Sequence, residues 1–240
     1  MENKRVKILG YGVDSLTEDE ALEFISKTNG QVITLNPEMI ENASKSSQFA
    51  NIINSAQLVI ADGIGIELGL RILGHKVHRI AGVEFGKKLL VKYAQNNKKI
   101  ALIGAKPDVI SLAVKNLQNE IKNINIVYSH DGYFSNNDDI IAEISSSSPD
   151  LVLVALGSPK QEFFIDKLKN VLPNAVMIGL GGSFDVWAGV VKRAPEIYQK
   201  LGLEWLYRTV KEPKRIKRIF PTLPVFVIKV LKERLLGHNA

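Results

Sequence analysis

Short apolar runs alternate along this chain with longer stretches in which apolar residues recur every three or four positions. Short runs bounded by Gly, Pro or Asn are typical of buried strands, and the longer recurrence is typical of amphipathic helices. The pattern predicts strands at 6–13, 31–35, 57–61, 99–104 and 125–129, with two more inside 150–195. Strands that alternate with helices predict an α/β fold, a Rossmann-like parallel sheet with helices on both faces.

The stretch 150–195 contains the same pattern twice. An apolar run stops at Gly157-Ser158-Pro159 and is followed by helical spacing, and a second run does the same at Gly181-Gly182-Ser183. A strand, a tight glycine turn and a new helix bring backbone N–H groups and the positive end of a helix dipole to one place. This stretch therefore predicts binding of an anionic group such as a phosphate.

Polar residues follow several of the predicted strands. In open parallel sheets, ligands bind beyond the carboxyl ends of the strands, so these residues are candidate site residues. Asp62 stands where a general base would lie, but an Asp at this position is as often the N-cap of the next helix. Thr34 and Asn36 also fit an ordinary turn before a helix. The candidates are Thr34, Asn36, Asp62, Gly104, Lys106, Asp131, Gly132, Gly157, Ser158, Gln161, Gly181, Gly182, Ser183 and Asp185.

Composition and charge divide the chain into a core and a tail. Hydrophobic residues make up 45% and charged residues 23%, which suits a globular core, and there is no Cys to form disulfides or thiolate metal sites. The net charge is +6, and the nine basic and two acidic residues between 208 and 234 carry +7, so the remaining residues sum to −1. We therefore expect a core at 1–195, a helical basic appendage at 196–240, and an anionic surface as partner.

Several classes of protein are disfavoured by what the sequence lacks. No GxGxxG motif follows the first strand, and no Walker A motif is present, which disfavours a dinucleotide-dependent dehydrogenase and a P-loop NTPase. Without an Asp-x-Asp motif, a diphosphate held through Mg²⁺ is not indicated, and we expect neither metal nor cofactor. We also see no signal peptide and no apolar run of the length that spans a bilayer.

The motifs between Thr34 and Arg215 resemble those of the WecG/TagA/CpsF glycosyltransferases. The matching residues occur in the same order along nearly the whole chain. They are Thr34 to Glu38, Ala61 to Gly63, Arg79 to Gly82, Gly157 to Glu162, Gly179 to Asp185, Ala188-Gly189, Arg193 to Pro195, Leu203 to Arg208, Glu212-Pro213 and Arg215.

The resemblance implies an inverting, metal-independent enzyme at the cytoplasmic face of the membrane. It would transfer a sugar from a UDP-sugar to undecaprenyl-diphosphate-linked N-acetylglucosamine. The Asn-Pro-Glu sequence at 36–38 looks more like the TagA branch, which transfers N-acetylmannosamine in wall teichoic acid synthesis. Transfer of N-acetylmannosaminuronic acid, as in the WecG branch, is the alternative.

The same resemblance implies roles for individual residues. Asp62 would be the general base, with Thr34 beside it, and Gln161 and Glu162 would lie near the donor. Arg208, Arg215 and Arg218 would close over the diphosphate. For the donor UDP-sugar as a whole, the expected residues are Asn36, Gly104, Asp131, Gly132, Gly157, Ser158, Pro159, Gln161, Glu162, Gly181, Gly182, Asp185 and Arg193.

The tail leaves alternatives open. Its Lys and Arg residues suit an anionic leaflet, and Trp205, Phe220 and Phe226 could insert into the interface. These apolar side chains could instead pack on the core or in an oligomer interface. Nucleic-acid binding is disfavoured because the basic residues are interleaved with Pro and large aliphatic residues. A non-catalytic nucleotide-binding module, tethered by the tail, is the other class of function.

Overall fold

The computed structural model describes residues 4–200, 202–211 and 216–237, and the side chains of these residues except those at 200, 205, 208, 211 and 216–221. The strands are β1 (Arg5–Ile8), β2 (Tyr11–Asp14), β3 (Gly30–Leu35), β4 (Leu58–Ala61), β5 (Lys99–Gly104), β6 (Asn125–His130), β7 (Leu151–Ala155) and β8 (Val176–Gly179). The helices are α1 (Glu18–Thr28), α2 (Pro37–Ala43), α3 (Ser47–Ser55), α4 (Ile64–Ile72), α5 (Gly82–Gln95), α6 (Pro107–Glu120), α7 (Asn137–Ser147), α8 (Lys160–Leu168), α9 (Ser183–Trp187), α10 (Glu196–Lys200), α11 (Glu204–Lys211) and α12 (Ile216–Leu236).

Six strands form one parallel sheet in the order β4-β3-β8-β7-β5-β6. All residues of β4, β7 and β8 are buried, as expected for strands covered on both faces. Helices α1, α5, α6 and α9 pack on one face. Helices α2, α3, α4, α7, α8 and α12 pack on the other. The predicted α/β fold with helices on both faces of a parallel sheet is confirmed.

The N-terminal prediction of a single strand at 6–13 is wrong. β1 and β2 form a separate antiparallel hairpin, and its two turn residues, Leu9 and Gly10, have φ values of 50° and 84°. Two residues with positive φ suit a tight hairpin, but Leu rarely adopts this conformation. The turn is held from the far end of the chain, because the Leu9 N–H donates to Glu233 Oε2 at 2.9 Å.

The C-terminal helix also differs from its prediction. The sequence predicts a helix that starts after Pro224, yet α12 runs from Ile216 to Leu236 through both Pro221 and Pro224. A proline inside a helix costs about 3 kcal/mol. Against this cost stands the burial of Phe226 and Val230, which are 4% and 0% exposed on the hairpin side of the core. Phe226 therefore packs on the core, which is one of the alternatives left open for the apolar residues of the tail.

The described part of α12 is fastened to the core by polar contacts as well. Lys229 Nζ pairs with Glu41 Oε2 of α2 at 2.7 Å, and Arg234 Nη1 lies 3.5 Å from the Leu73 carbonyl oxygen after α4. Within the residues described, none of the helices combines the length and hydropathy that crossing a bilayer requires.

Candidate active site

A cavity of about 510 Å³ lies at the carboxyl ends of β3 and β4. We call it the Asp62 pocket. Its walls come from the starts of α2, α4 and α5, from the turn after β8, and from α12. The polar side chains that line it are Thr34, Asn36, Glu38, Asp62, Arg79, Ser183, Glu204 and Thr222.

Asp62 and Thr34 are brought together at this edge of the sheet. The half-buried Asp62 directly follows β4, and its N–H donates to the Leu35 carbonyl at 2.8 Å. A Cβ atom built on Gly82 would lie 3.3 Å from Asp62 Oδ2 and 3.1 Å from Thr34 Cγ2. The side chains of Asp62 and Thr34 thus lie on the same side of Gly82, the first residue of α5. A carboxylate that is open to a cavity beside a neutral hydroxyl is an arrangement that can accept a proton from a bound alcohol.

The alternative roles of these residues can now be separated. The N-cap of α4 is Gly63, so the alternative in which Asp62 is the N-cap residue is wrong. Thr34 lies inside β3 and its Oγ1 donates to the Gly179 carbonyl at 3.3 Å, so Thr34 is not a turn residue. Asn36 is the N-cap of α2, with Oδ1 accepting from the Met39 N–H at 3.0 Å, as the turn interpretation predicts. Asn36 also lines the pocket.

Two helices begin at the Asp62 pocket without a cap from the side chain of their N-cap residue. The N-cap residues are Gly63 for α4 and Ala81 for α5, and neither makes a side-chain cap hydrogen bond. By contrast, Thr17, Ser46 and Asn136 cap α1, α3 and α7 with their side chains. Uncapped N–H groups and the positive end of the helix dipole favour an anion. The pocket can therefore hold a negatively charged group beside Asp62.

The direction of the helical connections reverses between β5 and β7, and we call the region beyond the carboxyl ends of these two strands the switch crevice. The chain leaves β5 through α6 on one face of the sheet and leaves the neighbouring β7 through α8 on the other. Ligands of open α/β sheets bind at such a reversal. The chain places six candidates at the carboxyl ends of β5, β6 and β7: Gly104, Asp131, Gly132, Gly157, Ser158 and Pro159. Here the Gly132 N–H donates to the Ala105 carbonyl at 2.8 Å, and the Ser158–Pro159 peptide is cis.

Helices α6 and α8 also start at the switch crevice without a side-chain cap. Their N-cap residues are Lys106 and Pro159. Strands in a sheet are about 4.8 Å apart, so β4 and β7, three places apart, are separated by roughly 14 Å. The turn after β8 lies between them, and its residues Leu180 and Ser183 line the Asp62 pocket. Gly181 and Gly182 therefore stand between the pocket and the crevice, and Asp185 follows in α9.

Gln161 and Glu162 lie beneath this edge rather than on its surface. Gln161 is 3% exposed, and its Oε1 accepts from the Gly181 N–H at 3.0 Å while its Nε2 donates to Glu162 Oε1 at 2.8 Å. Gly179 makes room for it, because a Cβ there would lie 2.7 Å from Gln161 Cδ. Gln161 therefore connects the helix after the first glycine turn to the second glycine turn.

Glu162 is a buried carboxyl group whose pKa is raised. It is 2% exposed, and among the described groups its Oε2 has no hydrogen-bond partner. Burial is the main cause of the raised pKa, and the side chains of Gln161 and Ser158 oppose it in part. Glu162 is thus held closer to its neutral form than a free carboxyl group is.

This raised pKa gives a prediction about stability. Above the ordinary pKa of 4.5, the unfolded protein loses the Glu162 proton before the folded protein does, so stability falls as pH rises toward the folded pKa. Glu162→Gln removes this dependence. We expect the difference in melting temperature, variant minus unsubstituted protein, to increase from pH 4 to pH 8. Glu120→Gln, at an exposed position, is the matched control and should show no such rise. If the melting temperatures of Glu162→Gln and of the unsubstituted protein changed with pH in the same way, the prediction would be contradicted.

The arginines of the predicted donor and diphosphate set fall in different places. Arg193 pairs with Glu84 Oε1 of α5 at 2.5 Å and with Glu204 Oε2 of α11 at 3.0 Å. These contacts fasten the start of the appendage to the core, and a donor contact by Arg193 stays a prediction. Arg215 lies outside the described residues, and so do the side chains of Arg208 and Arg218.

Four of the polar residues that line the pocket were not among the strand-end candidates: Glu38, Arg79, Glu204 and Thr222. Arg79 is the basic side chain that lines the Asp62 pocket within the described part of the chain, and its Nη2 donates to the Gln199 carbonyl at 2.9 Å. Glu204 lines the pocket from α11. Arg79 and Glu204 both belong to stretches that carry the family resemblance, but neither directly follows a strand, so their positions relative to the strands do not indicate a site.

Known proteins match this chain over most of its length. The sequence model described as the glycosyl transferase WecG/TagA/CpsF family matches residues 6–240. A protein of Bacillus subtilis (strain 168) named N-acetylglucosaminyldiphosphoundecaprenol N-acetyl-beta-D-mannosaminyltransferase is 41% identical over 212 residues, 88% of this chain and 82% of that protein. The protein of the same name from Staphylococcus aureus (strain MW2) is 35% identical over 239 residues, 96% of this chain and 93% of that protein. The resemblance seen in the sequence motifs is confirmed.

Proposed function

Because this chain belongs to the WecG/TagA/CpsF family of glycosyltransferases, we propose that it transfers N-acetylmannosamine from UDP-N-acetylmannosamine to undecaprenyl-diphosphate-linked N-acetylglucosamine. The names of the relatives describe this transfer for those proteins. The observation that carries the proposal here is the Asp62 pocket, in which a carboxylate lies beside Thr34 and two uncapped helix starts.

In the proposed reaction Asp62 is the general base. It takes the proton from the attacking hydroxyl group of the acceptor sugar. The hydroxyl oxygen then forms a bond to the anomeric carbon of the donor as the bond from that carbon to the UDP oxygen breaks. Attack from the face opposite UDP inverts the anomeric configuration. Thr34 lies beside Gly82, as Asp62 does, and would help to position the sugar.

The charge of the departing UDP needs stabilisation, and we propose that the protein supplies it without a metal ion. The support is that α4, α5 and α6 start along the carboxyl edge of the sheet without a side-chain cap. Arg79 adds a positive charge in the pocket. Arg208, Arg215 and Arg218 are proposed to complete this set from the appendage.

The donor is proposed to lie along the sheet edge, with its nucleotide in the switch crevice and its sugar toward Asp62. Gly157 has no atom within 4 Å of its Cβ position, so its backbone could approach a phosphate closely, and Gly104 and Gly132 are proposed to shape the same region. Gly181 and Gly182 lie between the Asp62 pocket and the switch crevice, and the Gln161 side chain accepts a hydrogen bond from the Gly181 N–H. In this proposal Gln161 and Glu162 shape the donor site without touching the reacting atoms.

We also propose that the protein works at the inner face of the membrane as a peripheral protein. The support is the excess of basic residues between 208 and 234 together with an apolar face of α12 that is open to solvent. On that face Val225, Ile228 and Leu235 are 41%, 65% and 86% exposed. Apolar and basic residues together favour an anionic lipid surface. Self-association through the same face is the alternative.

Acceptor-dependent release of UDP tests the proposed function. The full chain is given UDP-N-acetylmannosamine with undecaprenyl-diphosphate-linked N-acetylglucosamine, and the control reaction contains undecaprenyl diphosphate without the sugar. We expect UDP release only with the complete acceptor, and the same rate after treatment with EDTA. Faster release from UDP-N-acetylmannosaminuronic acid would favour the uronic acid alternative. Release from neither donor would leave the non-catalytic module as the better interpretation.

A further inference from the structure

The Asp62 pocket continues into an apolar channel between α4 and α12, which we call the α4–α12 groove. We propose that this groove holds the part of the polyprenyl chain that lies next to the diphosphate of the acceptor. The inference rests on the proposed function, because it assigns a place to one portion of that acceptor. Its occupant is an isoprenoid chain rather than another protein.

Two parallel stripes of apolar side chains form the walls of the groove. On α4 they are Ile64, Leu68 and Ile72, each four residues from the next, which places them on one face of the helix. On α12 they are Leu223 and Val227, with the same spacing. The floor between the stripes is made by Gly69, Phe226 and Val230.

Glycines of α4 set the depth of the groove. A Cβ on Gly69 would lie 3.1 Å from Phe226 Cζ, and one on Gly65 would lie 2.7 Å from Pro37 Cγ. Gly69 therefore lets α12 approach α4, and Gly65 lets the start of α2 approach α4. The salt bridge from Lys229 to Glu41 and the hydrogen bond from the Leu9 N–H to Glu233 hold α12 in this position. The groove is therefore a built feature of the fold.

The upper walls expose more apolar surface than a closed core would. Leu68 is 43% exposed, Ile72 is 37% exposed and Val227 is 44% exposed, and all three line the same cavity as Asp62. Exposed apolar surface in a concave site favours an apolar ligand, because binding removes it from water.

The order of residues along the groove matches the order of groups in the acceptor. Asp62 and the uncapped start of α4 stand at one end, where the sugar and diphosphate are proposed to bind. Ile64 follows at once, and Ile72 lies two turns further on, about 12 Å along the helix. An amphipathic ligand with a polar head at Asp62 would therefore lay the first part of its chain between Leu68 and Val227.

Acceptors with different chains test this proposal. Two synthetic acceptors share the N-acetylglucosamine diphosphate head, and one carries an undecaprenyl chain while the other carries a propyl chain. For the unsubstituted protein we expect a lower KM with the undecaprenyl acceptor. Leu68→Glu and Val227→Glu should each reduce the ratio of the propyl KM to the undecaprenyl KM by about tenfold or more, because a carboxylate would face the chain.

Two matched controls separate the groove from a general effect of added charge. Leu112 on α6 is 43% exposed, as Leu68 is, and Val91 on α5 is 36% exposed, and neither residue lines the cavity. Leu112→Glu and Val91→Glu should leave the KM ratio unchanged. An equal fall with either control would assign the effect to added charge in general and would overturn the groove.

Failure of the groove can be told apart from failure of the proposed function. If the unsubstituted protein released UDP with both acceptors at the same KM, the groove would be wrong and the proposed transfer would stand. An unchanged KM ratio in Leu68→Glu and Val227→Glu would have the same meaning. If no UDP were released with either acceptor, the proposed function and the groove would both be wrong.

Discussion

Replacement of Asp62 by Asn is expected to lower kcat by about 10²–10⁴-fold, the usual contribution of a general base. Asn has nearly the shape of Asp but cannot take the proton from the acceptor hydroxyl group. The backbone contact of Asp62, from its N–H to the Leu35 carbonyl, does not involve the side chain and is retained. We therefore expect the variant to fold and to bind UDP as the unsubstituted protein does. Steady-state kinetics with the lipid-linked acceptor and a UDP-binding titration measure the two properties.

Glu38→Gln is the matched control for this variant. Glu38 is another carboxylate that lines the Asp62 pocket, so the same chemical change is made in the same cavity. If Asp62 is the base, Glu38→Gln should retain at least about a tenth of the activity. A near-normal kcat in Asp62→Asn would remove Asp62 from the proton transfer. A large loss in Glu38→Gln alone would assign that role to Glu38.

Replacement of Gly104 by Ala is expected to have the largest effect on stability. Gly104 ends β5 at the switch crevice with φ of +125°, and a Cβ there would lie 2.5 Å from the Ala155 carbonyl carbon of β7. The neighbouring atoms are main-chain atoms of a buried strand and cannot rotate away. Backbone strain and overpacking together should cost about 2–5 kcal/mol. The melting temperature should fall by roughly 5–15 °C.

Gly157→Ala measures the effect of a positive φ by itself, without the close contact between strands that Gly104→Ala adds. Gly157 also has a positive φ, +77°, but no atom lies within 4 Å of its Cβ position. Its substitution should cost only about 1–2 kcal/mol, the price of the left-handed conformation. Thermal melts of the two variants measure the difference. Equal and small losses would show that β5 and β7 can separate at the crevice.

Much of the fold could be predicted because local pattern determines its elements. Thr17 and Glu20 have the spacing of a capping box, and Pro37 suits the first position of a helix, so the sequence predicts helix starts at these residues. The structure begins α1 and α2 there. The alternation of apolar runs and amphipathic stretches predicts the parallel sheet. Chain reversal at Leu9 could not be predicted, because its positive φ is supported by Glu233, 224 residues away in the sequence.

The candidate site could be predicted in part for the same reason. Parallel strands end at one edge, so Thr34 and Asp62 were expected near each other, and Gly82 brings them into one pocket. The order of the strands depends on packing between distant elements. The position of Arg79 beside Asp62, and the burial of Gln161 beneath Gly181, follow from that order and not from spacing in the sequence.

Analysis of the transferred product tests the central claim most directly. The full chain is incubated with α-linked UDP-N-acetylmannosamine and undecaprenyl-diphosphate-linked N-acetylglucosamine, and the lipid product is isolated for mass spectrometry and NMR. A single displacement at the Asp62 pocket predicts one added N-acetylmannosamine in β linkage, formed by the unsubstituted protein and greatly reduced in Asp62→Asn. An α-linked product, or UDP release without a lipid-linked disaccharide, would contradict the account.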